Sequence, residues 1–348
     1  MVFYYAALAV LVCVGMKISF KGFEREDALS MRTTNSLRGI CIMLVMLSHF
    51  KSYCSPYKAA VDVLGGRISE ELGQLIVVMF LFYSGYGVCE SIQKKGSGYV
   101  RSFPKNRVLK TLAHYDLALI PFLAVGLLMG TRFPAKKIIA AVFAWDNLGN
   151  SNWYIFAMLV LYLFTWLAFT VLGRHKYLAA ALVTALTVGY MLVVSRLQGY
   201  WWYDTVLCYA LGMWFSLFKK QIVSFVTKNN MIWAVIVLLL AVGLRYSHWV
   251  SRDVGWRVAE ALCFALLVVF GSMKFTVHNR VLEWLGKHTF EIFILQRLPM
   301  KVLGKVGLAP YHVLFFAAVL VITLALSFLF RQLTDRLDSV LFPKKAAS

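Results

Sequence analysis

Residues 36–50 read SLRGICIMLVMLSHF, an apolar run held between the guanidinium of Arg38 and the imidazole of His49. Eleven positions separate the two, about three helical turns, so both side chains leave nearly the same face roughly 16 Å apart along the axis. One helix could thus offer a fixed cation and a titratable base to a single internal cavity. Imidazole, with an unperturbed pKa near 6.5, suits proton abstraction near neutral pH. The other reading is interfacial: Arg38 snorkels to one headgroup layer and His49 to the other.

Further polar residues interrupt apolar surroundings. In YVRSFPKNRVLKTLAHYD, Arg107 and Lys110 stand three apart on one helical face and could grip phosphate as a fork and a point charge. Charge flanking a membrane span explains them equally. His114 and Asp116 follow, and Asp116 is expected to pair with a neighbouring base. VVMFLFYSGYGVCESI crowds Phe80, Phe82, Tyr83, Ser84, Gly85 and Tyr86 together, either for close helix packing or to leave room for a ligand. Trp153 and Tyr154, in NSNWYIFAMLVLYLF, stand where an aromatic belt is expected. Glu260, Glu291 and Gln296 lie deep in apolar segments, and either glutamate could orient an imidazole or pair with an arginine. Ionisable groups in such segments cost about 2.5–3.5 kcal/mol each on insertion scales and are functional candidates by default.

The elements that must hold these residues follow from composition. Of 348 residues 60% are hydrophobic and 15% charged, with a mean hydropathy of +0.71. Soluble domains do not have this composition. With about 20 apolar residues needed per crossing, the windows predict an all-α, polytopic transmembrane helix bundle. Spans are expected near 2–20, 36–51, 74–92, 111–130, 153–172, 177–195, 203–218, 231–248, 257–273, 288–305 and 310–330. That is about 10–11 spanning helices, with no large soluble domain. The segment 136–145 is too short to cross and is expected at the interface or as a re-entrant turn. The basic residues of the first span follow its apolar run and no cleavage site is evident, so it reads as a retained helix and not as a signal peptide.

On one set of alternate connections lie 22 of the 36 Lys and Arg residues, against 13 on the other. The positive-inside bias then puts the N-terminus outside and the C-terminus in the cytoplasm, in an integral plasma (inner) membrane. The formal charge of +20 is mostly topology, because it is spread over short segments and not gathered on one nucleic-acid-binding face. Six cysteines sit singly and read as small core residues. No Walker A loop, dinucleotide fingerprint or HExxH occurs, so no metal and no bound cofactor is expected.

Taken in order, SLRGICIMLVMLSHF, FLFYSGYGV, KNRVLKTL, NWYIFAMLVLYLF and LGKHTFEIFILQRLP resemble acyltransferase family 3, the integral-membrane O-acyltransferases of cell-surface glycans. The resemblance runs from Ser36 to about residue 330. It implies a ten-helix core over 36–330, with 1–35 an extra N-terminal transmembrane helix and cytoplasmic loop and 331–348 a basic cytoplasmic tail. It also implies transfer of an acyl group, commonly acetyl from acetyl-CoA, from cytoplasmic acyl-coenzyme A to a hydroxyl of a polysaccharide or lipid-linked sugar. His49 and Arg38 match the family's catalytic pair, with His49 as general base. Ser84 and Gly85 match its Ser-Gly signature. The Arg-x-x-Arg element falls on Arg107 and Lys110 as acyl-CoA-binding residues, where lysine keeps the charge and loses the fork. Trp153 and Tyr154 match a Trp-Tyr variant, with Met158 where some members carry glutamate. The usual Ser-Tyr-x-x-Tyr-Leu-x-His appears as Thr289, Phe290, Phe293, Ile294 and Gln296. Trp153, Tyr154, Glu260, Glu291 and Gln296 are possible acceptor-side or structural residues. Membrane lipids, acyl-CoA and a glycan acceptor are the expected partners. A transporter or flippase for lipid-linked sugars or small solutes is the alternative, with Arg38 and His49 in the pathway and Glu260 or Glu291 in a proton relay. A scaffold subunit is a third reading, disfavoured by the ionisable groups kept in the spans.

Overall fold

The structure is a computed structural model that describes residues 1–24, 27–54, 60–250 and 253–342. The end of the basic tail, with Lys344 and Lys345, lies outside the described residues. Inside a bilayer each backbone polar group must be satisfied within the protein, and a helix does this within one segment. The described residues are accordingly mostly helical.

It opens with α1 (Val2–Cys13), followed by the short strand β1 (Met16–Ile18). Next come α2 (Met31–Lys51), α3 (Ala60–Leu72) and the long α4 (Leu75–Phe103), then a π-helical turn at Pro104–Leu109 that leads into α5 (Lys110–Leu128). The middle of the chain forms α6 (Ala135–Val142), α7 (Trp153–Leu172), α8 (Lys176–Val194), α9 (Leu207–Leu217), α10 (Lys219–Val226), α11 (Asn230–Val250) and α12 (Val254–Gly271). The strand β2 (Phe275–Val277) pairs antiparallel with β1, Met16 opposite Val277. The last helices among the described residues are α13 (Arg280–Lys287), α14 (Thr289–Leu295), α15 (Arg297–Lys305) and α16 (His312–Leu341).

Among the described residues six helical stretches are long and apolar enough to cross a membrane: the continuous run 63–128, α7, α8, α11, α12 and α16. The protein is thus a multi-pass, all-α membrane bundle. Several expected spans take another form, for identifiable reasons. The 12 residues of α1 rise about 18 Å, short of a ~30 Å hydrocarbon core. Even so α1 links the two ends of the bundle: the Tyr4 hydroxyl donates to the His312 carbonyl at 3.1 Å, and the Asn279 amide donates to the Leu11 and Val14 carbonyls at 2.9 and 3.0 Å. The window 203–218 shortens to the 11 residues of α9, because residues 203–206 continue the 3-10 segment 200–202 as turn and bend. The window 288–305 breaks at Gln296 into α14 and α15, where Pro299 has no N–H to bond the Leu295 carbonyl.

Glycines set the closest helix contacts. A Cβ at Gly39 of α2 would overlap the Leu282 carbonyl of α13, and one at Gly286 of α13 would overlap the Asn35 carbonyl of α2. The same reciprocity joins α4 to α9, with Gly85 against the Tyr209 carbonyl and Gly212 against that of Phe82. Small residues let helices in lipid approach until their backbones touch, and dispersion then replaces the hydrophobic drive. In α4, Gly96 adopts φ 62° and ψ −151°, a conformation that side chains at Cβ forbid, and there the helix kinks. The kink and the π turn together return the chain to the bundle at Arg107.

Candidate active site

The α2–α13 contact fixes Arg38. With Gly39 pressed on the Leu282 backbone, the preceding side chain is held half-buried against Tyr83, its guanidinium carbon 5.7 Å from the ring centroid. Among the described residues no carboxylate lies within salt-bridge distance of Arg38. It opens into a cavity of about 540 Å³ whose polar walls include Ser84, Arg107, Tyr162, Lys287 and Thr289. Arg107 reaches this cavity from the π turn, a geometry that recurs at functional sites, and its Nε donates to the Tyr99 hydroxyl at 3.1 Å. Three cations, Arg38, Arg107 and Lys287, line this chamber without an acid among the lining residues, so its field favours negative charge.

His49 lies three turns along the same helix and opens into a different cavity, of about 480 Å³, at the opposite end of the bundle. Four tryptophans line it, Trp145, Trp153, Trp201 and Trp202, together with Asp146, Asn147, Asn152, Gln198 and Arg297. Trp145 and Trp202 pack edge to face at 5.4 Å, which holds both rings against the wall. The His49 Nδ1, the Ser151 hydroxyl and the Arg297 Nε are buried without a hydrogen-bond partner, and all three residues line this one cavity. Buried polar atoms are nearly always bonded, so these three groups are available to a polar molecule in the chamber.

The spacing of Arg38 and His49 points to one shared cavity, whereas the structure divides the space in two. The divider is aromatic. Phe293 lines the Arg38 cavity and meets the His49 ring at 6.5 Å, Tyr154 packs on Phe293 at 5.3 Å, and Phe80 packs on Tyr154 at 6.2 Å. Two chambers therefore approach His49 from either side of a wall one ring thick.

The remaining expected residues are distributed as follows. Ser84 faces the Arg38 cavity with its hydroxyl 3.0 Å from that of Tyr162. Gly85 points the other way, into the α9 contact, and does not line the cavity. Lys110 parts from Arg107: the π turn between them is wider than an α turn and rotates the two side chains apart, and Lys110 pairs with Asp338 of α16, which also meets His114 at 2.9 Å. The pairing expected for Asp116 thus falls to its neighbour His114, while Asp116 Oδ1 is buried without a partner. Trp153 and Tyr154, adjacent in sequence, take opposite sides of the partition, in the His49 and Arg38 cavities respectively. Glu260 bonds His248 at 2.7 Å, Glu291 pairs with Arg331 at 3.0 Å, and the buried Gln296 donates to the Phe293 carbonyl at 3.3 Å. None of those three residues lines either cavity. Arg297, the one arginine of LGKHTFEIFILQRLP, carries no signal in the sequence that sets it apart from a flanking charge. Among the described residues no group of His, Cys, Asp and Glu could hold a metal ion.

No curated protein and no solved structure matches the chain significantly. A family model described as an acyltransferase domain, that of acyltransferase family 3, matches residues 34–332, which contain both cavities and every residue that lines them except Met31. The chain belongs to acyltransferase family 3, and it is a membrane acyltransferase.

Proposed function

We propose that the protein moves an acyl group, acetyl by the habit of the family it resembles, from acyl-coenzyme A in the Arg38 cavity to a sugar hydroxyl in the His49 cavity. The observation that carries this reading is α2 itself, which presents a cation to one chamber and a base to the other across a single aromatic wall. Coenzyme A brings several phosphate charges, for which Arg38, Arg107 and Lys287 are suited partners. The pantetheine arm is long and thin, and about 16 Å of helix separates Arg38 from His49. A thioester threaded past Phe293 would bring its carbonyl to the imidazole.

On the other side, tryptophan faces suit the C–H faces of a sugar, and Asp146, Asn147, Asn152 and Gln198 suit its hydroxyls. His49 takes the proton of the acceptor hydroxyl as its oxygen attacks the thioester carbon. The tetrahedral oxyanion then collapses, the C–S bond breaks, the leaving thiolate takes up a proton, and an ester remains on the sugar. Arg297 shares the cavity with His49 and is suited to stabilise that oxyanion. With the Arg38 chamber facing the cytoplasm, the N-terminus outside and the C-terminus inside, donor and acceptor meet from opposite faces of the plasma membrane.

The transport reading has less support: Glu260 and Glu291, its candidate relay acids, are engaged with His248 and Arg331 outside both cavities. The two readings part in one experiment. Detergent-purified protein is incubated with ¹⁴C-acetyl-coenzyme A and a soluble polysaccharide, while reconstituted vesicles are assayed for solute uptake. Label on the polysaccharide supports the acyltransfer reading; uptake with no labelled product overturns it.

A further inference from the structure

A third chamber lies at the same end of the bundle as Arg38, on another face of α4. Ser84, Gly87, Val88 and Ser91 of that helix line the Arg38 cavity, whereas Glu90, Gln93 and Lys94 line a groove of about 730 Å³ against the starts of α8 and α10. Four lysines converge on it, Lys94, Lys176, Lys219 and Lys220, against the single carboxylate of Glu90. That carboxylate is already engaged: it accepts from the Ser216 hydroxyl at 2.8 Å and pairs with Lys94 at 3.7 Å.

The groove is built as well as charged. Gln93 donates to Ser216 at 2.9 Å and accepts from Lys176 at 3.4 Å, while Lys219 donates to the Tyr86 hydroxyl at 2.8 Å. Its floor is thus a hydrogen-bonded network that holds two of the ammonium groups in place. Independently of the lysines, α8 begins at Lys176 and α10 at Lys219, and neither start has a side-chain cap. Two sets of first-turn N–H groups, each at the positive end of a helix dipole, are therefore left for an anion.

An apolar stair leads away from the cations. Trp214 stacks on Phe218 at 5.9 Å, and Phe218 stacks on Tyr177 at 5.4 Å, with Phe218 and Tyr177 exposed. Leu178 and Phe225 beside them are exposed as well. An ion of the aqueous phase needs no such surface, whereas the chains of a lipid do.

We propose that this groove binds the phosphate headgroup of one anionic membrane phospholipid, with the acyl chains along Trp214, Phe218 and Tyr177. Basic pockets between membrane helices are suited to such headgroups. The site is separate from both cavities of the acyltransfer reading and does not depend on it.

The test is native mass spectrometry of the purified full chain with phosphatidylglycerol or phosphatidylcholine, and in parallel with coenzyme A or inorganic phosphate. The expected result is one tightly held phosphatidylglycerol, preferred over phosphatidylcholine. In a Lys176→Ser/Lys220→Ser variant it should bind about 30-fold more weakly, at about 5-fold per lysine, and coenzyme A affinity should stay within twofold. Both lysines are exposed, so the variant should fold; a Lys228→Ser control, outside the groove, should keep the wild-type affinity. Equal binding of the two lipids overturns the proposal. So does a loss of coenzyme A or phosphate binding in the variant, which would assign the lysines to a soluble phosphate.

Discussion

Replacing Gly39 by alanine tests whether the α2–α13 contact positions Arg38. A methyl carbon needs about 3.3 Å from a carbonyl oxygen, and the Leu282 carbonyl lies well inside that limit. It belongs to the α13 backbone and cannot rotate aside, so the two helices must part by about an ångström. Overpacking of this kind costs about 1–3 kcal/mol, and misplacing a binding group by about 1 Å can cost up to roughly 100-fold in rate. Gly39→Ala should lower the detergent unfolding temperature by several degrees and weaken donor binding, both read on one preparation by tryptophan fluorescence and acetyl-coenzyme A titration. The reciprocal contact sharpens the test. Gly286→Ala forces the same separation from the other helix, against the Asn35 carbonyl. Once one methyl has parted the helices the second fits for less, so the double variant should lose clearly less stability than the two singles added. Simple additivity, or a Gly39→Ala protein with unchanged stability and donor binding, would refute the reasoning.

Three further variants probe the same geometry. Arg107→Gln removes a charge from the Arg38 cavity and should raise the donor KM by about 10- to 100-fold, the value of a charged hydrogen bond. Lys110→Gln breaks a half-exposed pair with Asp338, so it should cost at most about 1 kcal/mol of stability and leave the donor KM within twofold; equal KM effects from the two variants would restore the paired-grip reading. Phe293→Ala opens the wall between the chambers and removes a buried ring, so it should cost about 3–5 kcal/mol and raise hydrolysis of the thioester relative to transfer. If the ratio of hydrolysis to transfer is unchanged, Phe293 is not the partition.

Much of this arrangement was legible in the sequence because lipid makes polar residues conspicuous. Arg38 and His49 bound an apolar run, Ser84 interrupts one and Arg107 leads into one, and each lines one of the two cavities. The long apolar windows became α4, α7, α8, α11, α12 and α16 for the same reason. What stayed hidden depended on contacts between distant segments. The partner of Lys110 is Asp338, more than 200 positions away, and no local pattern announces it. The tryptophan wall comes from three separate segments, and tryptophan near a membrane boundary is unremarkable until those segments are brought together. Backbone detail was equally out of reach: the π turn that separates Arg107 from Lys110 obscures a spacing that reads as a shared helical face. Gly85 looked like part of a ligand signature, and its visible structural reason is a backbone contact with α9.

The most direct test of the account is His49→Ala, with donor binding and product measured on the same protein. Arg38, Arg107 and the wall residues are untouched, so acetyl-coenzyme A affinity should stay within about twofold. Acylated polysaccharide should fall by at least 100-fold, the lower range for loss of a general base. Transfer that persists within tenfold of wild type would contradict the assignment of His49 as the base between the two chambers.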